Sequence, residues 1–166
     1  MAISIPRTNY ERPTQLGLLS AVCCDAHDFG VVETQFGKKH QVGLAWQLAE
    51  ANSKGERFVV WRRFTASLHA RAGLRKTLEQ WRGKPYTDAD LDKFDLELVI
   101  GRPCMVLLEE KPGKDGDTFV VVGQVMPPAK GMPVLTPDPK YVRKKDRTDG
   151  QQSAAEDVPP EDVVPF

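Results

Sequence analysis

The chain has 166 residues, of which 40% are apolar and 28% charged, enough for one domain with a core and a tail. Its 23 basic and 23 acidic residues cancel, but residues 149–166 hold five acids and no Lys or Arg, so the remainder is basic. No apolar run reaches the roughly 18 residues of a membrane span, and the N-terminus lacks the apolar stretch of a signal peptide. We therefore expect a cytoplasmic protein without a membrane partner.

Five strands are predicted, with a helical insertion after the third. Aromatic and β-branched residues, alternating with period two and bounded by Gly, Pro or Asn turns, indicate each strand. The first is expected to end in a loop or a strongly bent continuation through Val31 and Val32. The predicted strands are Gln15–Asp25, His40–Glu50, Phe58–Phe64, Cys104–Glu109 and Thr118–Met126.

The apolar spacing changes to that of an amphipathic helix after the third strand. It predicts a helix over residues 68–81, with Ser67 as N-cap and Gly83 as C-cap. Thr87 is expected to cap a second short helix over residues 88–93, where acids in the first turn suit the helix dipole.

Three strands, a helical insertion and two strands, in about 115 residues, match a five-stranded oligonucleotide-binding barrel, the OB-fold. A small β-sandwich is the alternative. We predict a mainly β protein with a flexible segment at 1–13, an OB-fold domain at 14–130, and a flexible linker and acidic tail at 131–166. The boundary at residue 130 is predicted from the proline-rich and charged composition of the residues that follow it.

No residue pattern predicts an enzyme. The three histidines are scattered, and no Cys-x-x-Cys or His-Glu-x-x-His spacing is present. Cys23 and Cys24 are adjacent and point to opposite faces of a strand. We interpret all three cysteines as reduced, partly buried thiols, and expect neither a metal nor a cofactor.

The end of the chain, Glu161 to Phe166, resembles the C-terminal tip of bacterial single-stranded DNA-binding proteins. Those proteins carry an OB-fold body, a flexible linker and an acidic tail that docks into enzymes of replication and repair. The resemblance implies a partner-binding tail in which a terminal Phe fills an apolar pocket while acids meet basic residues. Here Pro159 and Pro160 split the acids that the family usually groups. The implied partner-binding residues are Asp162, Val164, Pro165 and Phe166.

A longer stretch, from Gly17 to Lys130, resembles a bacteriophage family of single-stranded DNA-binding, OB-fold-like proteins from replication and recombination gene clusters. Several pieces recur in order, and they support the fold more firmly than any single binding residue. The pieces are Phe64–His69, Ala72–Arg75, Trp81–Gly83, Phe94–Leu96 and Gly101–Cys104.

Single-strand binders combine aromatic platforms with a basic groove. Trp61 is the first candidate for stacking: if Phe58, Val60 and Phe64 point inward, Trp61 and Arg63 point outward, whereas the opposite phase puts Trp61 in the core. Trp46 and Trp81 are expected to pack inside. The other candidate DNA contacts are Lys38, Lys39, Arg62, Arg63, Arg71, Arg75, Lys140, Tyr141, Arg143, Lys144 and Lys145.

These features predict a sequence-nonspecific single-stranded DNA-binding protein of phage DNA replication or recombination. It coats single strands as a homo-oligomer and recruits partner enzymes by its tip. The alternative is a protein-interaction adaptor whose tail mimics the host protein's tip to capture or block replication enzymes. RNA binding stays open, because stacking accepts either sugar.

Overall fold

The computed structural model describes residues 13–112, 118–147 and the backbone of Glu156–Asp157. One six-stranded sheet dominates, with the strands in the order β5-β4-β1-β2-β3-β6. Neighbouring strands among β1 to β5 are antiparallel to one another, whereas β6 pairs with β3 in parallel. The strands are β1 (Gly17–Thr34), β2 (Gly37–Ala51), β3 (Arg57–Thr65), β4 (Pro103–Pro112), β5 (Thr118–Met126) and β6 (Glu156–Asp157).

The long β1 strand is shared between two neighbours. Gly17–Val22 pairs with β4 and Ala21–Thr34 with β2, with register shifts between Cys23 and Asp25 and between Asp28 and Gly30. Such irregularities bend a strand and re-aim its side chains. The predicted bent continuation after the first strand is confirmed, and Cys23 and Cys24 lie in separate buried clusters.

Two helices, α1 (Gly73–Arg82) and α2 (Asp88–Asp92), follow β3. The predicted start of α1 was wrong, because residues 66–72 form a loop in which the Ser67 hydroxyl accepts a hydrogen bond from the His69 N–H. Gly83 caps the helix with φ of 82°, and Thr87 begins α2 with a capping box, both as predicted. No helix in the described part of the chain combines the length and apolarity needed to cross a membrane.

The main core lies between the inner face of the sheet and α1. Trp46 is fully buried there, and its ring meets that of Trp81 edge-on, with centroids 6.2 Å apart. The Trp81 indole N–H donates to the Pro103 carbonyl over 3.0 Å, so one helical side chain ties α1 to β4. The packing roles predicted for both tryptophans are confirmed. The other large members of this core include Leu44, Leu48, Phe58, Val60, Phe64, Leu74, Leu78 and Val106.

Strand pairing does not close the sheet. In the described strands β3 has no ladder to β5, and the two approach through Arg62, whose Nη1 donates to the carbonyls of Val122 at 3.4 Å and Gly123 at 3.2 Å. The predicted mainly β architecture of five antiparallel strands is confirmed. A barrel closed by hydrogen-bonded strands is not what the pairing shows.

The chain does not leave the sheet at residue 130. Arg57 donates to the Thr136 carbonyl over 2.8 Å, and the Asp138 N–H donates to Gln47 over 2.9 Å. Residues 138–147, which we call the C-terminal strap, lie against the face opposite the main core. For 136–147 the predicted free linker is therefore replaced by a packed segment.

Gly43 supplies a test of the packing on this second face. A Cβ at this position would lie 2.6 Å from the Phe29 ring and 3.1 Å from the Trp61 ring. We expect Gly43→Ala to lower the free energy of unfolding by about 1–3 kcal/mol, as overpacking does. Urea denaturation measures this, with Gly73→Ala as the matched control, since its nearest contact would be 4.0 Å away. Equal stability of the two variants would contradict the packing described.

Candidate nucleic-acid interface

A layered group of aromatic and cationic side chains covers the outer face of β1, β2 and β3. Trp61 lies over the bare backbone of Gly43, Phe29 meets Trp61 edge-on at 6.2 Å, and the Arg63 guanidinium lies 4.0 Å above the Phe29 ring. Phe29 and Arg63 are half-buried, whereas Trp61 is 2% exposed. We call Phe29, Gly43, Trp61 and Arg63 the outer-face stack.

Trp61 lies on the predicted face but is not a surface platform. It points away from Phe58, Val60 and Phe64, as the first phase required, yet it belongs to a buried cluster that Phe29 and Tyr141 complete. An exposed platform at Trp61 requires that only one face of β3 be covered. Because the strap covers the second, Trp61 supports Phe29 and Arg63 rather than meeting solvent.

The Arg63 guanidinium is held by an aromatic ring and not by an acid. Its Nε is buried without a hydrogen-bond partner, and none of the ion pairs among the described residues includes it. A guanidinium on a ring keeps its charge and one flat face for other contacts. This side chain is therefore suited to an anionic, planar ligand.

His27 borders the stack, with its ring centroid 4.8 Å from that of Phe29. Burial, and then the positive charge of Lys144, lower the pKa of His27 from its ordinary value of 6.5. The neutral imidazole therefore belongs to the folded form near neutral pH.

The β1–β2 hairpin, residues 31–40, extends from this face. Its tip exposes 60% of Phe36, and Val31 is 68% exposed. Lys38 and Lys39 follow on β2 and are exposed, as their predicted role in phosphate contact requires. Phe36 was missing from the predicted site. Its position in a turn before Gly37, next to two lysines, was the available signal.

The strap is held by Asp25, which is fully buried at the register shift of β1. This carboxylate accepts hydrogen bonds from the Tyr141 hydroxyl at 3.0 Å, Arg143 Nε at 3.1 Å and the Lys144 backbone N–H at 2.8 Å. Arg143 also forms a two-pronged ion pair with Glu97, at 2.7 and 2.9 Å. These bonds raise the pKa of Arg143, with Glu97 the larger cause, and lower the pKa of Glu97.

Two predicted DNA contacts are therefore engaged inside the protein. Arg143 joins Asp25 and Glu97, and Tyr141 joins Asp25 and packs against the Trp61 cluster. The prediction placed both in a free basic linker. The sequence could not show that the buried Asp25 carboxylate, 116 residues from Tyr141 and 118 from Arg143, binds them.

Three of the predicted arginines lie apart from the stack. Arg62 bonds to β5 carbonyls, and burial lowers its pKa. Arg75 pairs with Glu79 along α1 and donates to the Leu68 carbonyl. Arg71 is exposed in the loop before α1. The structure thus brings Arg63 to the stack and Lys38 and Lys39 to its adjoining hairpin, but not these three.

The tail residues Asp162, Val164, Pro165 and Phe166 lie outside the described residues. The acidic segment before them reaches the sheet: the backbone of Glu156–Asp157 pairs with Val59 and Val60 of β3.

The described residues contain no cluster of three His, Cys, Asp or Glu side chains that could hold a metal ion. The Cys23 and Cys104 thiols are poor nucleophiles, because burial raises the pKa of Cys23 well above its ordinary range and that of Cys104 to about 12. The chain matches no known family model, and no curated protein matches it.

The pKa of His27 makes stability depend on pH. The folded protein binds a proton at His27 less well than the unfolded chain does. The free energy of unfolding therefore keeps its full contribution from His27 above pH 6.5 and loses it as the pH drops below that value. We expect the melting temperature of His27→Gln to vary less between pH 7.5 and 5 than that of the parent, measured by circular dichroism. His69→Gln, at an exposed loop position, is the control. Parallel profiles for parent and His27→Gln would contradict the assignment.

The buried ion pair is tested by Arg143→Ala. Removing one partner of such a pair costs about 3–5 kcal/mol, and we expect the lower end, about 3 kcal/mol, because Tyr141 and the Lys144 N–H still bind Asp25. Lys145→Ala, at an exposed neighbouring position, should change stability by less than about 0.5 kcal/mol. Chemical denaturation of both variants measures the difference, and an unchanged Arg143→Ala would refute the role of the pair.

Proposed function

We propose that the chain is a sequence-nonspecific single-stranded DNA-binding protein of phage DNA replication or recombination. The observation that carries the proposal is the outer-face stack, which adjoins a hairpin whose tip exposes Phe36 beside Lys38 and Lys39. Flat platforms on the outer face and its hairpin, with cations that form no ion pair among the described residues, match what a strand with unpaired bases offers.

The contacts divide by chemistry. The Arg63 guanidinium and the Phe36 ring accept the flat faces of bases, and stacking of this kind is worth about 1–3 kcal/mol per base. Lys38 and Lys39 neutralise phosphates, which makes affinity fall with salt through counterion release. Since every base has a flat face, such contacts impose little sequence preference.

We further propose that the fold is an OB-fold whose β3 and β5 are joined by Arg62 instead of a strand ladder. The strand order and the position of α1 between β3 and β4 support this assignment. By resemblance, the protein acts in the host cytoplasm as a homo-oligomer, and its tip, ending Asp162-Val163-Val164-Pro165-Phe166, recruits replication or recombination enzymes.

A protein-interaction adaptor is the second candidate, favoured by one observation. A groove of about 740 Å³ between α1, α2 and the segment at Pro127–Pro128 is lined by Trp81, Tyr86 and Phe94, and the neighbouring Leu98 is 64% exposed. Such a cleft, with aromatic and charged residues in its walls, suits a peptide. The affinity of the sheet face for DNA separates the two candidates.

The test is fluorescence anisotropy of labelled oligo-dT of about 30 nucleotides, longer than the roughly 4–16 nucleotides that one OB-fold covers. We expect tight binding to the single strand, little to a duplex of equal length, and about 1–3 kcal/mol of loss in Phe36→Ala. Lys38→Ala/Lys39→Ala should reduce the slope of log affinity against log salt by about 1.4, or 0.7 per phosphate contact.

Leu98→Ala and Lys93→Ala are the matched controls, since both residues are exposed and lie beside the groove, not on the hairpin. Equal losses in controls and hairpin variants would place the site elsewhere. Absence of single-strand binding at low salt would reject the proposed function and favour the adaptor.

A further inference from the structure

We propose that the C-terminal strap, residues 138–147, forms one wall of the nucleic-acid groove, and that Asp25 is the positioning residue that holds this wall. The inference rests on the proposed function and deepens it, because it gives two of the predicted phosphate contacts, Lys144 and Lys145, a fixed position at the edge of the groove. The stack becomes the floor of the groove, and the hairpin lysines stand at its other end.

The register of the sheet gives this order. Asp25, Ala45 and Trp61 form one cross-strand row, and His27, Gly43 and Arg63 form the next on the same face. Farther along the hairpin, Lys39 pairs with Val32 and Lys38 with Glu33. From Asp25 to Glu33 the strand spans about 26 Å at 3.3 Å per residue. Strap, stack and hairpin thus follow one another along a single path.

Four hydrogen bonds from the strap end on or beside Asp25. Three donors reach the Asp25 carboxylate, from Tyr141, Arg143 and the Lys144 backbone, all within four residues of chain. Arg143 Nη2 also donates to the Ala26 carbonyl at 2.9 Å, next to Asp25. A buried charge must be compensated, so these bonds form together or the carboxylate stays unpaired. The strap is therefore fixed in one position.

That position places cations beside the stack. The Lys144 backbone N–H bonds to Asp25, one cross-strand row from His27, and His27 itself contacts Phe29. Lys144 is half-buried and Lys145 exposed, and their backbone belongs to a short 3₁₀ turn, Lys144–Asp146. Between Asp138 and Arg147, the strap holds five basic residues against two acids. A nucleic-acid strand that runs from the hairpin across Arg63 would therefore continue along the strap, where Lys144 and Lys145 can meet its phosphates.

The strap forms a wall and not a lid, because the row beyond Trp61 stays accessible. Trp61 is buried under Tyr141, whereas His27, Phe29 and Arg63, one row farther, remain half-exposed. Nucleic acid can therefore reach the stack with the strap in place, and release of the strap is not required for binding.

The test compares two variants with the parent in the oligo-dT titration. Lys144→Ala/Lys145→Ala removes the wall charges and keeps the backbone bond to Asp25. Asp25→Asn keeps the shape and removes the charge that holds the strap. For two lost phosphate contacts, both should lower the salt slope by about 1.4, and the ratio of affinities at 50 and 200 mM salt by about sevenfold. Lys93→Ala is the charge control.

Hydrogen exchange on the free protein gives a readout that needs no DNA. Amides of residues 140–147 should exchange faster in Asp25→Asn but not in Lys144→Ala/Lys145→Ala. Should Asp25→Asn fail to fold, Tyr141→Phe, which removes one of the three donors, replaces it with a smaller effect of the same sign.

The outcomes separate the two proposals. Higher affinity after the strap is loosened would make it a lid and overturn the inference, as would unchanged affinity and salt slope in the double lysine variant. If the parent itself does not bind oligo-dT, the proposed function is wrong. The inference that the strap forms a wall of the groove is then wrong too, even if hydrogen exchange shows that Asp25 holds the strap in place. Parent binding with reduced slopes in both variants supports both.

Discussion

The buried carboxylate of Asp25 is the constraint on which the outer half of the structure depends. A charge with no exposed surface must be paired, and its three donors all come from a segment more than 110 residues later in the chain. Satisfying this one group therefore returns the C-terminal segment to the sheet. That return buries Trp61 and gives β3 two covered faces.

The two faces of the sheet have different roles. The inner face packs against α1 and stabilises the fold, with Trp46 and Trp81 in contact. The outer face is covered only in part, so Phe29 and Arg63 are supported from below by Trp61 and stay half-exposed above. A platform backed by a rigid ring loses little conformational freedom when a ligand stacks on it. The proposed interface thus depends on packing that is itself invisible to solvent.

The basic residues show what composition can predict about the binding partner and what it cannot predict about individual side chains. The segregation of charge and the aromatic–arginine pattern of β3 were sufficient to propose a polyanion as partner. They could not sort the arginines, because Arg62 and Arg143 bond within the protein while Arg63 rests on a ring. A charge becomes internal or external through contacts made by residues far away in the chain, which local sequence does not encode.

Local physics determined the five strands, the core positions of Trp46 and Trp81, and the caps at Gly83 and Thr87, because period, turn chemistry and capping act over a few residues. The tertiary structure decided the rest. It set the later start of α1, the open pairing between β3 and β5, the burial of Trp61 and the fate of residues 136–147. Each of these depends on which distant groups meet, and above all on where a buried charge finds its donors.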